Sequence, residues 1–230
     1  MRQDPEAVML FAAGFGTRMG ELTKKTPKPL LKVAGQTLLD RTLDLITPIA
    51  PKRIVVNAHY HHQKLCDHLS GSDVLVSVEQ PHILETGGGL RNALPLLGEG
   101  AVYTSNTDAI WSGPNPFEML REAWRPDIMD ALLLCLPKEN ALGHKGRGDF
   151  VLDPHGQASR GPGVVYSGIQ ILKSNGLHDI EENSFSLNIL WDKLLATGRL
   201  YGLIYSGKWC DVGNPEGLRL AERLLEAPHV

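Results

Sequence analysis

Cysteine, basic excess and long apolar runs are all scarce in this chain. Its three cysteines, Cys66, Cys135 and Cys210, lie far apart with no C-x-x-C pair. That number and spacing support neither a disulfide framework nor a zinc site, and they fit a reducing compartment. Lys and Arg number 23 against 26 Asp and Glu, a formal net charge of −3, which argues against bulk nucleic-acid binding. No apolar run approaches the ~18 residues of a membrane span. The opening MRQDPEAV carries acidic residues and proline where a signal peptide needs an apolar core. These absences lead to the expectation of a cytoplasmic protein that engages neither nucleic acid nor membrane. With 42% hydrophobic and 21% charged residues, the 230 residues suffice for one substantial α/β domain, or a domain with a small lobe.

The most informative stretch is LFAAGFGTRMGELTKKTPKPL, Leu10 to Leu30. The apolar run Ala7 to Ala13 is short enough for a buried strand and stops at Gly14. Gly14 and Gly16 permit a tight turn and bring bare N–H groups against a ligand. Arg18, Lys24, Lys25 and Lys28 follow, so fixed cations stand just behind a glycine-rich turn, a combination suited to polyphosphate. A P-loop requires Gly-Lys-Ser/Thr running into a helix, and Gly16-Thr17-Arg18-Met19 does not supply it. The dinucleotide fingerprint requires glycine where this chain has Met19, and a long helix that Pro27 and Pro29 would break.

Farther along, strand and helix patterns alternate, which predicts a mostly parallel, Rossmann-like sheet with helices on both faces. Thr37-Leu38-Leu39-Asp40 opens a helix closed by Pro48 and Pro51. Arg53–Asn57, Val74–Val78, Ala101–Ser105 and Ala131–Leu136 read as further strands. Between them, LETGGG reads as a second glycine-rich loop after Val78, ahead of a helix reaching Leu96. Three successive glycines serve either an extreme turn or a flat surface pressed on the backbone, such as a base ring. Beyond the polar connection Lys138–Gly148 the pattern turns antiparallel: Asp149–Leu152, a turn at Pro154–Gly156, then Val164–Leu172. A helix capped by Ser186, a strand from Leu200 to Tyr205 and a helix from Pro215 to Leu225 complete the chain. His59, His61 and His62 cluster at the opening of a polar helix, where they cannot all face one metal, and they read as surface. The division expected is a single domain over 1–230, with a first part of about 1–137 and a second of about 138–230.

AAGFGTRM followed by TPKPLLKVAGQTLLD resembles the signature of sugar-1-phosphate nucleotidyltransferases. LETGGG, GHKGRGDF, YSGI and WCDVGNPEGL resemble in particular the bacterial uridylyltransferases that act on N-acetylmuramate 1-phosphate in cell-wall recycling. The similarity runs from near Val8 to near Leu220. It implies the nucleotide-diphospho-sugar transferase fold, with a small antiparallel sugar-binding portion. Arg18, Lys28 and Asp108 are then the catalytic set. Ala12, Ala13, Gly14, Gly16, Thr17, Glu85, Thr86, Gly87 and Asn106 would hold the nucleotide. Asp149, Tyr166 and Gly168 would hold the sugar, Gly168 by leaving room for the hexose. Asp108 and Asp211 would bind Mg²⁺. Asp149 also has an ordinary reading, a surface carboxylate beside Arg147. The family's usual Gly-Asp is Thr107-Asp108 here, and a β-branched residue does not easily take a positive φ. Either the turn does not require one or the metal placement differs.

The activity implied joins a sugar 1-phosphate to a nucleoside triphosphate, UTP and N-acetylmuramate 1-phosphate foremost, and releases pyrophosphate. Guanylyl transfer to mannose 1-phosphate and thymidylyl transfer to glucose 1-phosphate remain alternatives. So does a non-catalytic regulator that binds nucleotide-sugar. Oligomeric state is not legible in the sequence.

Overall fold

In a computed structural model, which describes residues 4–226, the chain forms a seven-stranded sheet with helices on both faces and three small accessory sheets. The first strand, β1 (Ala7–Phe11), leads through a 3₁₀ turn into a hairpin of two short strands, β2 (Lys32–Val33) and β3 (Gln36–Thr37). Helix α1 (Leu38–Ile46) follows, and the Asp40 N–H donates to the Thr37 hydroxyl as its cap. Next come β4 (Arg53–Ala58), α2 (His62–Leu69), β5 (Leu75–Val78), α3 (Glu85–Leu97) and β6 (Ala101–Asn106). The middle of the chain contributes β7 (Ala109–Ser112), α4 (Pro116–Ala123), β8 (Ala131–Leu136) and β9 (Ala141–Leu142). The remainder is β10 (Phe150–Leu152), β11 (Ala158–Arg160), β12 (Val165–Lys173), α5 (Asn188–Ala196), β13 (Leu200–Ile204), β14 (Lys208–Asp211) and α6 (Pro215–Glu226).

The main sheet runs β13-β8-β12-β6-β1-β4-β5. Only β12 is antiparallel to its neighbours, so the sheet is mostly parallel, as the alternating pattern predicts. Alternation along β1 separates two cores. Val8 and Leu10 face α1, α2 and α4, whereas Ala7 and Met9 face α3 and α5. A third cluster seats α6, through Ala221 and Leu224, on the small sheet β7-β14-β9. The late segment expected as a separate antiparallel portion is divided. β10 and β11 make a two-stranded sheet, while β12 lies in the middle of the main sheet. β12 is buried over nearly its whole length, paired to β6 and β8 along its two edges within the helix-covered sheet. Residues before and after the expected division at 137/138 therefore share one sheet.

The LETGGG reading requires correction. Gly87, Gly88 and Gly89 are not a loop but the first turns of α3, and all three are buried. Their bare backbones admit protein. A Cβ on Gly87 would strike the Phe185 ring, and one on Gly88 would lie 2.5 Å from the Asn183 carbonyl oxygen. The Gly87 and Gly88 N–H groups both donate to the Phe185 carbonyl, at 2.8 and 3.1 Å. These are donors that the first turn of a helix leaves unpaired, and here the segment before α5 satisfies them. Arg91 holds that segment by donating to the carbonyls of Ile180 and Glu182 while its guanidinium lies over the Phe185 ring.

Gly87→Ala sets helix propensity against packing. Alanine gains about 1 kcal/mol in a helix, but overpacking against a fixed ring costs about 1–3 kcal/mol. The expected result in urea unfolding is a lower midpoint, restored in part by adding Phe185→Leu. A midpoint raised by Gly87→Ala alone would refute the packing argument.

Candidate active site

Open α/β sheets bind ligands beyond the carboxyl ends of their strands, where the strand order reverses. Here β4 and β5 lie to one side of β1 and β6 to the other. A cleft of about 310 Å³ opens there, lined by Phe11 to Gly14, Gly16 to Arg18, Lys28, Pro29 and Asn57, by Ile83, Glu85 and Thr86 at the start of α3, and by Asn106 to Asp108 and Gly213.

The glycine turn behaves as its composition predicts. Gly16 has φ +63°, and a Cβ there would crowd Thr23 and Lys28 at 3.0 and 3.2 Å. Its carbonyl accepts from the Met19 N–H and the Thr23 hydroxyl, each at 2.9 Å, closing the turn into a 3₁₀ helix from Thr17 to Thr23. Gly14 has no atom near the place a Cβ would take, so its backbone fronts open space in the cleft. Phe15, between the two, is 45% exposed and packs its ring against His59 and Tyr60. That contact, with hydrogen bonds from Tyr60 to the Lys24 carbonyl and from Lys64 to the Lys25 carbonyl, steadies the turn from outside.

The charged groups gather at one corner. Lys28 Nζ lies 2.7 Å from Asp108 Oδ2, with only 12% of the lysine side chain exposed and 30% of the aspartate. The Val212 N–H donates to the Asp108 carbonyl at 2.9 Å, and β14 pairs with β7 so that Asp211 stands opposite Ala109. The last strand thus delivers Asp211 to Asp108, although they lie 103 positions apart in the chain. Burial, and after it the Asp108 charge, push the Asp211 carboxyl above the usual carboxylate range; Lys28, Arg18 and His144 pull it back in part. Gly213 is confined by the Asp211 carboxylate and the Arg18 guanidinium, which a Cβ would meet at 2.9 and 3.3 Å. Thr107 is no obstacle to this corner. It has no positive φ, and its buried hydroxyl donates to the Phe11 carbonyl at 2.9 Å. The threonine ties the end of β6 to the end of β1 and sets Asp108 toward Lys28.

Glu85 and Thr86 reach the cleft from α3. Glu85 has φ +59°, a conformation that non-glycine residues seldom adopt and that clusters at functional sites. The Thr86 hydroxyl accepts from the Leu187 N–H at 3.0 Å. Gly87 is not with them, since its N–H and its bare face are both spent on Phe185. The residues expected to hold sugar lie outside this cleft. Gly168 has φ +91°, and a Cβ there would lie 2.8 Å from Asn106 Nδ2, so the space it leaves is filled by the Asn106 amide rather than kept for a hexose. Tyr166 packs edge-on against Trp191, and burial raises its hydroxyl well above the usual tyrosine range. Asp149 is exposed, and its Oδ2 accepts from the Tyr166 N–H at 2.8 Å. None of the three lines the cleft described above. Asn57, Ile83 and Gly213 do line it and were not singled out in the sequence. The available signal for Asn57 was a polar residue at the end of an apolar strand.

The chain matches the MobA-like NTP transferase domain over residues 8–146. The chain belongs to that family. Proteins similar to it along nearly its whole length include the N-acetylmuramate alpha-1-phosphate uridylyltransferase of Caulobacter vibrioides, 37% identical over 99% of this chain and 100% of the relative. The protein of the same description from Neisseria meningitidis serogroup B is 31% identical over 95% and 98%. Among solved structures, HddC from Yersinia pseudotuberculosis complexed with GMP-PN superposes with a TM-score of 0.77, covering 96% of this chain and 99% of that one. A putative glucose-1-phosphate thymidylyltransferase from Bacillus anthracis gives 0.78, covering 97% and 96%. At 21% and 18% identity these two support the fold of this transferase. Among the described residues no helix is long and apolar enough to cross a membrane.

The crowding of Asp108 and Asp211 yields a stability prediction in metal-free buffer. A carboxyl raised in the folded state opposes folding while ionised, and that cost disappears as pH falls below the unfolded carboxyl's pKa. Asp211→Asn is therefore expected to melt at or above the parent temperature near neutral pH, the difference closing toward acid. A variant that melts well below the parent at neutral pH would show that Asp211 stabilises the fold instead.

Proposed function

We propose that this transferase joins UTP to N-acetylmuramate 1-phosphate, forming the UDP-sugar and releasing pyrophosphate in cell-wall recycling. The observation that carries the reading is the convergence of Lys28, Asp108, Asp211 and Arg18 beside an open glycine turn at the sheet's switch point. The full-length relatives from Caulobacter vibrioides and Neisseria meningitidis supply the choice of base and sugar. The glycines of α3 do not, because their bare faces are turned to protein.

In this reading the triphosphate lies along the turn from Gly14 to Arg18, with N–H groups and the Arg18 guanidinium toward its phosphates. A phosphate oxygen of the sugar 1-phosphate attacks the α-phosphorus in line. The new P–O bond forms as the bond to the bridging oxygen breaks, and pyrophosphate leaves opposite. The attacking oxygen is already ionised, so no general base is required. What the chain supplies is charge neutralisation and alignment. Lys28 is suited to the first because Asp108 holds its ammonium in one place, where it costs little reorganisation as negative charge shifts.

Asp108 and Asp211 are the residues that would hold Mg²⁺. Their hard oxygens, brought together at one partly buried corner, fit such an ion, whose remaining ligands would be waters and phosphate oxygens. When bound, Mg²⁺ supplies Lewis-acid stabilisation of charge on the phosphates. The lactyl carboxylate of the acceptor calls for a cation at the cleft mouth. Lys145, highly exposed and 3.8 Å from Glu216, and the exposed Arg147 are the cations proposed for it. The partners proposed are thus a nucleoside triphosphate and a sugar 1-phosphate, in a cytoplasmic setting.

The deciding assay is pyrophosphate release across four triphosphates and several hexose 1-phosphates. UTP with N-acetylmuramate 1-phosphate is expected to have the highest kcat/KM; preference for GTP with mannose 1-phosphate would overturn the subgroup while leaving the reaction class intact. Lys28→Ala is expected to lower kcat/KM roughly a hundred- to a thousand-fold, about 2.7–4 kcal/mol, with its folding retained. A well-folded Lys28→Ala protein with the parent's turnover would remove Lys28 from the mechanism.

A further inference from the structure

Beneath the cleft, four polar groups form one unbroken chain that no catalytic step requires. The Ala12 N–H donates to Asn57 Oδ1 at 2.7 Å, and Asn57 Nδ2 donates to Glu79 Oε1 at 2.6 Å. The Leu84 N–H closes the chain on Glu79 Oε2 at 2.7 Å. Asn57 and Glu79 are 3% and 1% exposed, so these hydrogen bonds are made out of water, where a lost partner is costly. Glu79 is itself pinned at its backbone, its N–H on the Ala58 carbonyl and its carbonyl on His59 Nδ1, each at 2.8 Å. Gly89 leaves the space: a Cβ there would lie 2.5 Å from Glu79 Oε1 and 2.9 Å from Asn57 Nδ2.

The two ends of this chain belong to different sides of the cleft. Ala12 is in the wall that leads to Gly14, and Leu84 is the residue from which α3 delivers Glu85 and Thr86. We infer that Asn57 and Glu79 are positioning residues that set the separation between the phosphate-facing turn and the α3 edge of the nucleotide cleft. The inference deepens the proposed function, resting on nucleotide binding in this cleft.

Donor and acceptor direction makes the assignment testable. Both ends of the chain are backbone N–H donors, so both internal residues must accept outward and exchange one hydrogen bond between them. An amide at 57 and a carboxylate at 79 satisfy that; so does the reverse, a carboxylate at 57 and an amide at 79. Either single change does not. Asn57→Asp sets two carboxylates against each other, and Glu79→Gln leaves a donor facing a donor.

The experiment measures KM for the preferred triphosphate in the forward reaction and KM for pyrophosphate in the reverse reaction. Pyrophosphate touches only the phosphate-facing side, whereas a triphosphate spans both. Each single variant is expected to raise the triphosphate KM roughly tenfold and to leave the pyrophosphate KM near the parent's. Asn57→Asp with Glu79→Gln is expected to restore the triphosphate KM. An equal rise in both constants, or single variants indistinguishable from the parent, would overturn the inference. So would a double variant that fails to fold or keeps a single variant's KM. A single variant too unstable to assay, rescued in fold and KM by the double, would support it. If the protein turns over no triphosphate, the proposed function fails separately, and calorimetric titration of the same four proteins with UTP and pyrophosphate reads the positioning role with the same expected pattern.

Discussion

Strand β1 is hydrogen-bonded along both edges, to β4 and to β6, and everything in the cleft is placed relative to its carboxyl end. Because both ladders are parallel, all three strands end on the same side. Their last residues, Phe11, Asn106 and Ala58, are the points from which the glycine turn, the Asp108 corner and the Asn57 contact depart. Two further ties make that edge rigid. The Thr107 hydroxyl holds the end of β6 to Phe11, and the Asn57 amide holds the end of β4 to Ala12. A phosphate-binding turn needs its N–H groups aimed before the ligand arrives, and a strand fixed on both sides supplies that.

The electrostatics follow from the same edge. The short sheet of β7, β14 and β9 brings the chain's last strand to the first turn after β6, so two carboxylates meet beside Lys28 and Arg18. Burial raises the Asp211 carboxyl first by taking it out of water, and the neighbouring Asp108 charge adds to that rise. The fold tolerates this in return for a corner where two carboxylates and two cations stand together. Such a corner suits substrates that bring both negative phosphates and a divalent cation.

Local chemistry made much of this legible. Gly14, Gly16, Arg18 and Lys28 lie within one short stretch, and their roles depend on φ freedom and charge that any fold would have to accommodate. The alternating strand and helix pattern likewise implied a mostly parallel sheet, because period-2 and period-3.6 burial are written along the chain. The three glycines of α3 were misread for a definite reason. A bare backbone shows that something approaches closely, but the sequence does not say whether that is a base or, as here, the segment carrying Phe185. Gly168 repeats the lesson with Asn106.

What the sequence by itself determined is therefore the glycine turn, the strand and helix periods, and membership of a nucleotidyltransferase family, all carried by residues close in the chain. What only the tertiary structure decided is which distant residues share the cleft. Asp211 meets Asp108 through the pairing of β14 with β7, β12 enters the centre of the main sheet, and Asn57 and Glu79 bridge the two sides of the site. Each of these depends on strand order and register, and many orders are compatible with one set of strand patterns. Hydrogen bonding across the sheet selects one of them, and with it the distances between charges on which phosphate chemistry depends.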